Sequence, residues 1–131
     1  MPSFAHKVID FNQTVLKIQP RIQCPLSFPE FEITVKALNE EVQEFIQASK
    51  DSDYIGQIDA LIDLQYFAMG ALYKLGLTAD QINRCCYAVH DANMTKKLGI
   101  KASRGDGSAA DAIKPEGWEA PEVRIGAILE S

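Results

Sequence analysis

The fold class this sequence predicts is an all-α bundle. Three observations point to it. Apolar residues recur at helical spacing in four successive segments, side-chain capping signals open two of those segments, and strand signals are weak throughout. The 131 residues suit one domain, 1–131, with a helical core over about 4–98 and a loop and C-terminal arm over about 99–131. Apolar residues make up 47% and charged residues 24%, the balance of a folded chain rather than a disordered one.

The first helix is expected over Phe4 to Ile18, where Val8, Phe11, Val15 and Ile18 share a face. Pro20, Pro25 and Pro29 then punctuate a loop. Ser27-Phe-Pro-Glu30 reads as a capping box opening a second helix from about Phe28 to Lys50, with an apolar stripe of Val35, Leu38, Val42, Phe45 and Ile46. After the polar break Asp51-Ser52-Asp53, a third helix spans about Tyr54 to Leu75 and stops at Gly76. Thr78-Ala-Asp-Gln81 opens a fourth that reaches about Leu98. The short joints make helices two, three and four antiparallel neighbours. Beyond Ile100, Gly105, Gly107, Pro115, Gly117 and Pro121 forbid a long helix, and a loop or short hairpin followed by an extended arm is expected, with Gly105-Asp-Gly107 as a turn.

A net charge of −5 disfavours a general nucleic-acid binder, which needs a basic face for phosphates. The most apolar stretch, Ile55 to Leu77, is interrupted by Asp59 and Asp63, so it reads as a buried helix and not a membrane span. The N-terminus has no apolar signal segment. The three cysteines (Cys24, Cys85, Cys86) lack metal-binding spacing, and Cys85 and Cys86 are expected to pack as small apolar groups. Reduced thiols suit the cytoplasm. No Walker-type glycine loop occurs, which disfavours a P-loop NTPase.

The chemistry lies in the carboxylates. In Asn39-Glu40-Glu41-Val42-Gln43-Glu44, Glu40 and Glu44 fall on one helical face with Glu41 beside them. That face points away from the apolar stripe, so taken alone it is a solvated surface. The third helix alters this reading. From Tyr54 to Tyr73 its only charged residues are Asp59 and Asp63, four apart on one face of a helix expected to be buried nearly all round. Buried carboxylates must be compensated or protonated. With further glutamates on the neighbouring helix, hard divalent cations are the simplest compensators; remote basic side chains are the other. On the fourth helix the stripe Ile82, Cys86, Val89 continues through Asn93 and Lys96, with Lys97 alongside. Either this is a solvated helix end, or an amide and an ammonium reach a metal-bound phosphate. His90, one turn earlier, is a lesser candidate.

These elements resemble the MazG-like all-α NTP pyrophosphohydrolase superfamily, whose antiparallel four-helix bundle is of the dimeric dUTPase type. Its hallmark is Glu-Glu-x-x-Glu on one helix and Glu-x-x-Asp on the next. The first half is intact as Glu40-Glu41-Val42-Gln43-Glu44. The second departs from the pattern: in Asp59-Ala60-Leu61-Ile62-Asp63, alanine replaces the usual glutamate, and Asp59 lies one residue before it. Val89-His-Asp-Ala-Asn93-Met-Thr-Lys96 and Lys114-Pro-Glu-Gly-Trp118-Glu-Ala-Pro121 resemble the phosphoribosyl-ATP-pyrophosphohydrolase-like branch. The resemblance implies hydrolysis of a nucleoside triphosphate to the monophosphate and pyrophosphate. It implies two to three Mg²⁺ or Mn²⁺ ions on Glu40, Glu44 and Asp63, with Asp59 next and Glu41 as a ligand or base. Lys36, Asn93 and Lys96 would hold phosphates. Trp118, Asn12 and Gln13 are candidates for the base. A homodimer or homotetramer is implied, with no nucleic-acid or membrane partner. The alternatives are a phosphoribosyl-ATP pyrophosphohydrolase and a catalytically silent helical interaction module.

Overall fold

The computed structural model of the protein describes residues 2–99 and 111–131, so the expected Gly105-Asp106-Gly107 turn lies outside the described residues. The elements are α1 (Phe4–Thr14), α2 (Phe28–Lys50), α3 (Tyr54–Lys74), α4 (Ala79–Met94), β1 (Lys97–Gly99), β2 (Asp111–Ile113) and α5 (Glu122–Leu129). The predicted all-α class holds. The chain divides into two compact units, Met1–Ile82 and Asn83–Ser131. No helix among the described residues is long and apolar enough to cross a membrane.

In the first unit, α1 opens on a capping box in which the Ser3 hydroxyl accepts from the His6 N–H and the His6 ring accepts from the Ser3 N–H. The helix stops four residues earlier than its apolar spacing suggests. Lys17 turns into the left-handed region (φ 61°), which ends the helix, and Ile18 becomes a loop residue whose carbonyl accepts from the Tyr73 hydroxyl at 2.8 Å. The loop to α2 runs beside the end of α3, where the Cys24 N–H donates to the Leu75 carbonyl. Gly76 has φ 99°, and a Cβ there would lie 2.6 Å from the Gln23 Cα, so only glycine fits without strain.

α2 and α3 form an antiparallel hairpin whose ends match the sequence signals. The Ser27 hydroxyl accepts from the Glu30 N–H, with Pro29 in the first turn. Asp53 caps α3 through a 2.9 Å bond from the Gly56 N–H. α4 opens on the predicted Thr78/Gln81 box, closed by reciprocal bonds of 3.0 and 3.1 Å.

Two expectations about faces are corrected. On α2 the buried residues are Glu41 and Ala48, whereas Val35, Val42 and Ile46 of the expected core stripe are exposed, because α3 packs along the Glu41–Ala48 line instead. α3 is not buried all round. Ile55 is 77% exposed, and Ile58, Leu61, Ile62 and Phe67 are also exposed, because α1 and α2 cover only one side of it.

In the second unit, α4 ends at Met94 and not Leu98. Thr95 and Lys96 turn out of it through bonds to the Ala92 and Asn93 carbonyls, and residues 97–99 join an antiparallel ladder with 111–113. Lys96 and Lys97 therefore do not extend a helical stripe. The inward line within this unit is Cys85, Ala88 and Ala92, so Val89, Asn93 and Cys86 are exposed. Cys86 is not the packed group expected. Burial of Cys85 raises its thiol pKa. Where a loop or short hairpin is expected, the described residues show the β1–β2 ladder, and the arm is not extended throughout: α5 forms over eight residues. Pro121 stands at its N-cap, where a missing N–H costs nothing, and no proline follows.

Candidate metal and nucleotide site

The site starts from how closely α2 and α3 approach. Their seam carries small residues: Ala48 is buried, Ala60 is 2% exposed, and a Cβ on Gly56 would stand 3.2 Å from that of Ala48. Ala60, where the motif has glutamate, is thus a buried small residue of this seam. At this seam one carboxylate oxygen from each of Glu41, Glu44 and Asp63 lies within 4.8 Å of the others.

Glu41 is 8% exposed, and its Oε2 has no hydrogen-bond partner among the described residues. An orphaned buried carboxylate oxygen costs stability unless protonated or bound to a cation. Desolvation, a hydrogen bond with Glu44 and the charges of Glu44, Asp63 and Asp59 push the Glu41 pKa up to about 7. Burial, then Asp59 and Glu44, raise that of Asp63. An all-oxygen, mutually repelling group with one unpartnered buried oxygen fits a hard divalent cation.

The other candidates are placed as follows. Asp59 is exposed and close enough to act on Glu41 and Asp63 through its charge. Glu40 is exposed and outside the group of three; with Lys36 and Glu44 it lines an open groove of about 660 Å³ along α2. Asn12 and Gln13 are not brought together. Asn12 is 3% exposed, bonded to the Val8 carbonyl at 2.9 Å and packed under Gly70. Gln13 is exposed and lines a separate cavity of about 360 Å³.

Within the second unit, His90 and Asn93 are exposed on α4. Trp118 is half-buried, its indole N–H donates to the Ala92 carbonyl at 2.9 Å, and it lines a cavity of about 820 Å³. The ammonium of Lys96 lies 5.1 Å from its ring centroid and that of Lys114 5.0 Å. Sequence reasoning missed Lys114. The only signal for it was its place in the Lys-Pro-x-Gly-Trp run.

A family-model match over most of the helical chain, which includes the carboxylates gathered at the α2–α3 seam, places the protein in the MazG-like superfamily of all-α NTP pyrophosphohydrolases. Within that class, the family described as phosphoribosyl-ATP pyrophosphohydrolase matches residues 10–93, more than half of the chain, and the protein belongs to it. This makes it a pyrophosphohydrolase acting on a nucleotide phosphoanhydride bond. No individual curated protein matches the chain.

Proposed function

We propose that the protein is a metal-dependent nucleoside triphosphate pyrophosphohydrolase that releases a nucleoside monophosphate and pyrophosphate. The observation carrying this reading is the unpartnered buried oxygen of Glu41 inside a group of converging carboxylates. Glu44 and Asp63, with Glu41, Asp59 and Glu40, would hold two to three Mg²⁺ or Mn²⁺ ions, which supply charge neutralisation at the phosphates and a more acidic water. Glu41, ionised once the cations are in place, would either ligate them or take the proton of the attacking water as that water adds to the α-phosphorus. The bond from the α-phosphorus to the bridging oxygen breaks, and pyrophosphate leaves. Lys36, Asn93 and Lys96 are the phosphate-binding candidates. Trp118, Asn12 and Gln13 are those for the base, and the burial of Asn12 ranks it last.

A second reading, phosphoribosyl-ATP as substrate, is favoured by the family match and breaks the same bond. A panel of ribo- and deoxyribonucleoside triphosphates and phosphoribosyl-ATP with Mg²⁺ or Mn²⁺, resolved by ion-exchange chromatography, separates the two. Monophosphate plus pyrophosphate from a simple triphosphate is the expected result. Turnover of phosphoribosyl-ATP alone would shift the assignment to the second reading. Folded protein that turns over none of them would end both.

We also infer a homodimer or homotetramer, since the uncovered Ile55, Ile58, Leu61, Ile62 and Phe67 put an apolar strip of α3 in water. Light scattering coupled to size exclusion should give two or four times the 14.5 kDa chain mass. A 14.5 kDa species at assay concentrations would refute it.

A further inference from the structure

Lys96 leaves α4 just before β1, and Lys114 follows β2. The ladder pairs Lys97 with Ile113, so the next pair outward along the hairpin is Lys96 and Lys114. Like charges opposite each other on paired strands repel. Here both ammoniums also lie about 5 Å from the centroid of one indole ring. The Trp118 indole N–H donates to the Ala92 carbonyl, which fixes the ring. Cation–π attraction offsets part of the repulsion, but the ring carries no net charge. Neither lysine makes an ion pair among the described residues, although Asp91 and Arg124 in the same unit pair at 3.0 Å. Two cations thus share one indole ring, neither of them ion-paired among the described residues, beside a cavity whose lining also carries Asp91, Glu116, Glu119 and Glu122.

We propose that Lys96, Lys114 and Trp118 form an anion subsite for the polyphosphate group of a nucleotide, with Lys114 as a phosphate-binding residue and Trp118 as the platform that orients both lysines. Naming the anion as a polyphosphate rests on the pyrophosphohydrolase reading; the existence of an anion subsite does not. A pyrophosphate or triphosphate carries enough negative charge, spread over enough length, to meet two ammoniums at once.

Trp118 is the only tryptophan, so its fluorescence reports on the subsite alone. Metal-free protein in chelator should be titrated with inorganic pyrophosphate, with calorimetry alongside to record any binding that leaves the fluorescence unmoved. A saturable response is expected, with Kd raised about fivefold or more in Lys114→Gln and in Lys96→Gln, the loss of one modest ion pair. A hydrolysis-deficient Asp63→Asn chain should keep the titration. No saturable binding to the wild-type chain, or an unchanged Kd in both lysine variants, would overturn the proposal. Hydrolysis with no such subsite would refute this inference and spare the enzyme. A subsite with no hydrolysis of any nucleotide would do the reverse.

Discussion

Replacing Asp63 by Asn, or Glu44 by Gln, is expected to lower kcat/KM about a thousandfold or more, equivalent to roughly 4 kcal/mol of transition-state stabilisation. Each variant removes one of the three convergent carboxylate oxygens but keeps the shape of the side chain. The loss should not come from unfolding. The charge of Asp63 raises the Glu41 pKa, and Asp63 is itself crowded by Asp59 and Glu44, so neutralising it relieves repulsion. Thermal unfolding of metal-free Asp63→Asn should therefore match or exceed wild type while its response to Mg²⁺ or Mn²⁺ disappears. Glu40→Gln should cost less, because Glu40 stands outside the group of three. Activity within tenfold of wild type in folded Asp63→Asn would show that the α2–α3 seam is not where the bond is cleaved.

Metal-free protein should lose stability as pH rises from about 4.5 to about 7. In the unfolded chain Glu41 ionises near its ordinary 4.5, but in the fold it holds its proton up to about 7. Between those values the unfolded state has given up a proton that the folded state retains, so raising the pH favours unfolding, and the loss is complete above about 7. Asp63, also raised, contributes with the same sign. Divalent metal should act oppositely, binding the ionised group and stabilising the fold more strongly at higher pH. At one hundred times Kd the gain is about 2.7 kcal/mol, or about 10 °C in Tm for a chain of this size. Thermal scans from pH 4.5 to 8, with and without MnCl₂, test both halves, and Glu41→Gln should flatten the metal-free slope. A metal-free Tm that climbs across this window, together with no shift on adding metal, would remove the physical case for a cation at Glu41.

How much of this was legible beforehand differs from residue to residue. The bounds of α2 and α3 could be read because Ser27, Asp53 and Gly76 act within a turn of themselves, through caps and one left-handed glycine. α1 was read too long because nothing local marks Lys17 as the residue that turns left-handed, and the apolar spacing of Val15 and Ile18 carries on past the helix. The sequence does not announce α5, because a proline reads as a barrier to a helix, whereas Pro121 starts this one.

The candidate site divides in the same way. Glu40, Glu41, Glu44, Asp59 and Asp63 stand out as candidates from spacing and from the scarcity of other charge on α3. Which of them converge does not, since helical period places residues on a face but does not say which face a neighbour covers. The expected stripe through Val35 and Val42 made Glu41 a surface residue, whereas the approach of α3 along Ala48 and Ala60 buries it. The order of the carboxylates along the chain, a local and covalent property, determined the kind of chemistry the protein can carry. Their energetics came only with tertiary structure, because desolvation of Glu41 depends on what packs over it. The pairing of Lys96 with Lys114 likewise depends on a strand register joining residues eighteen apart.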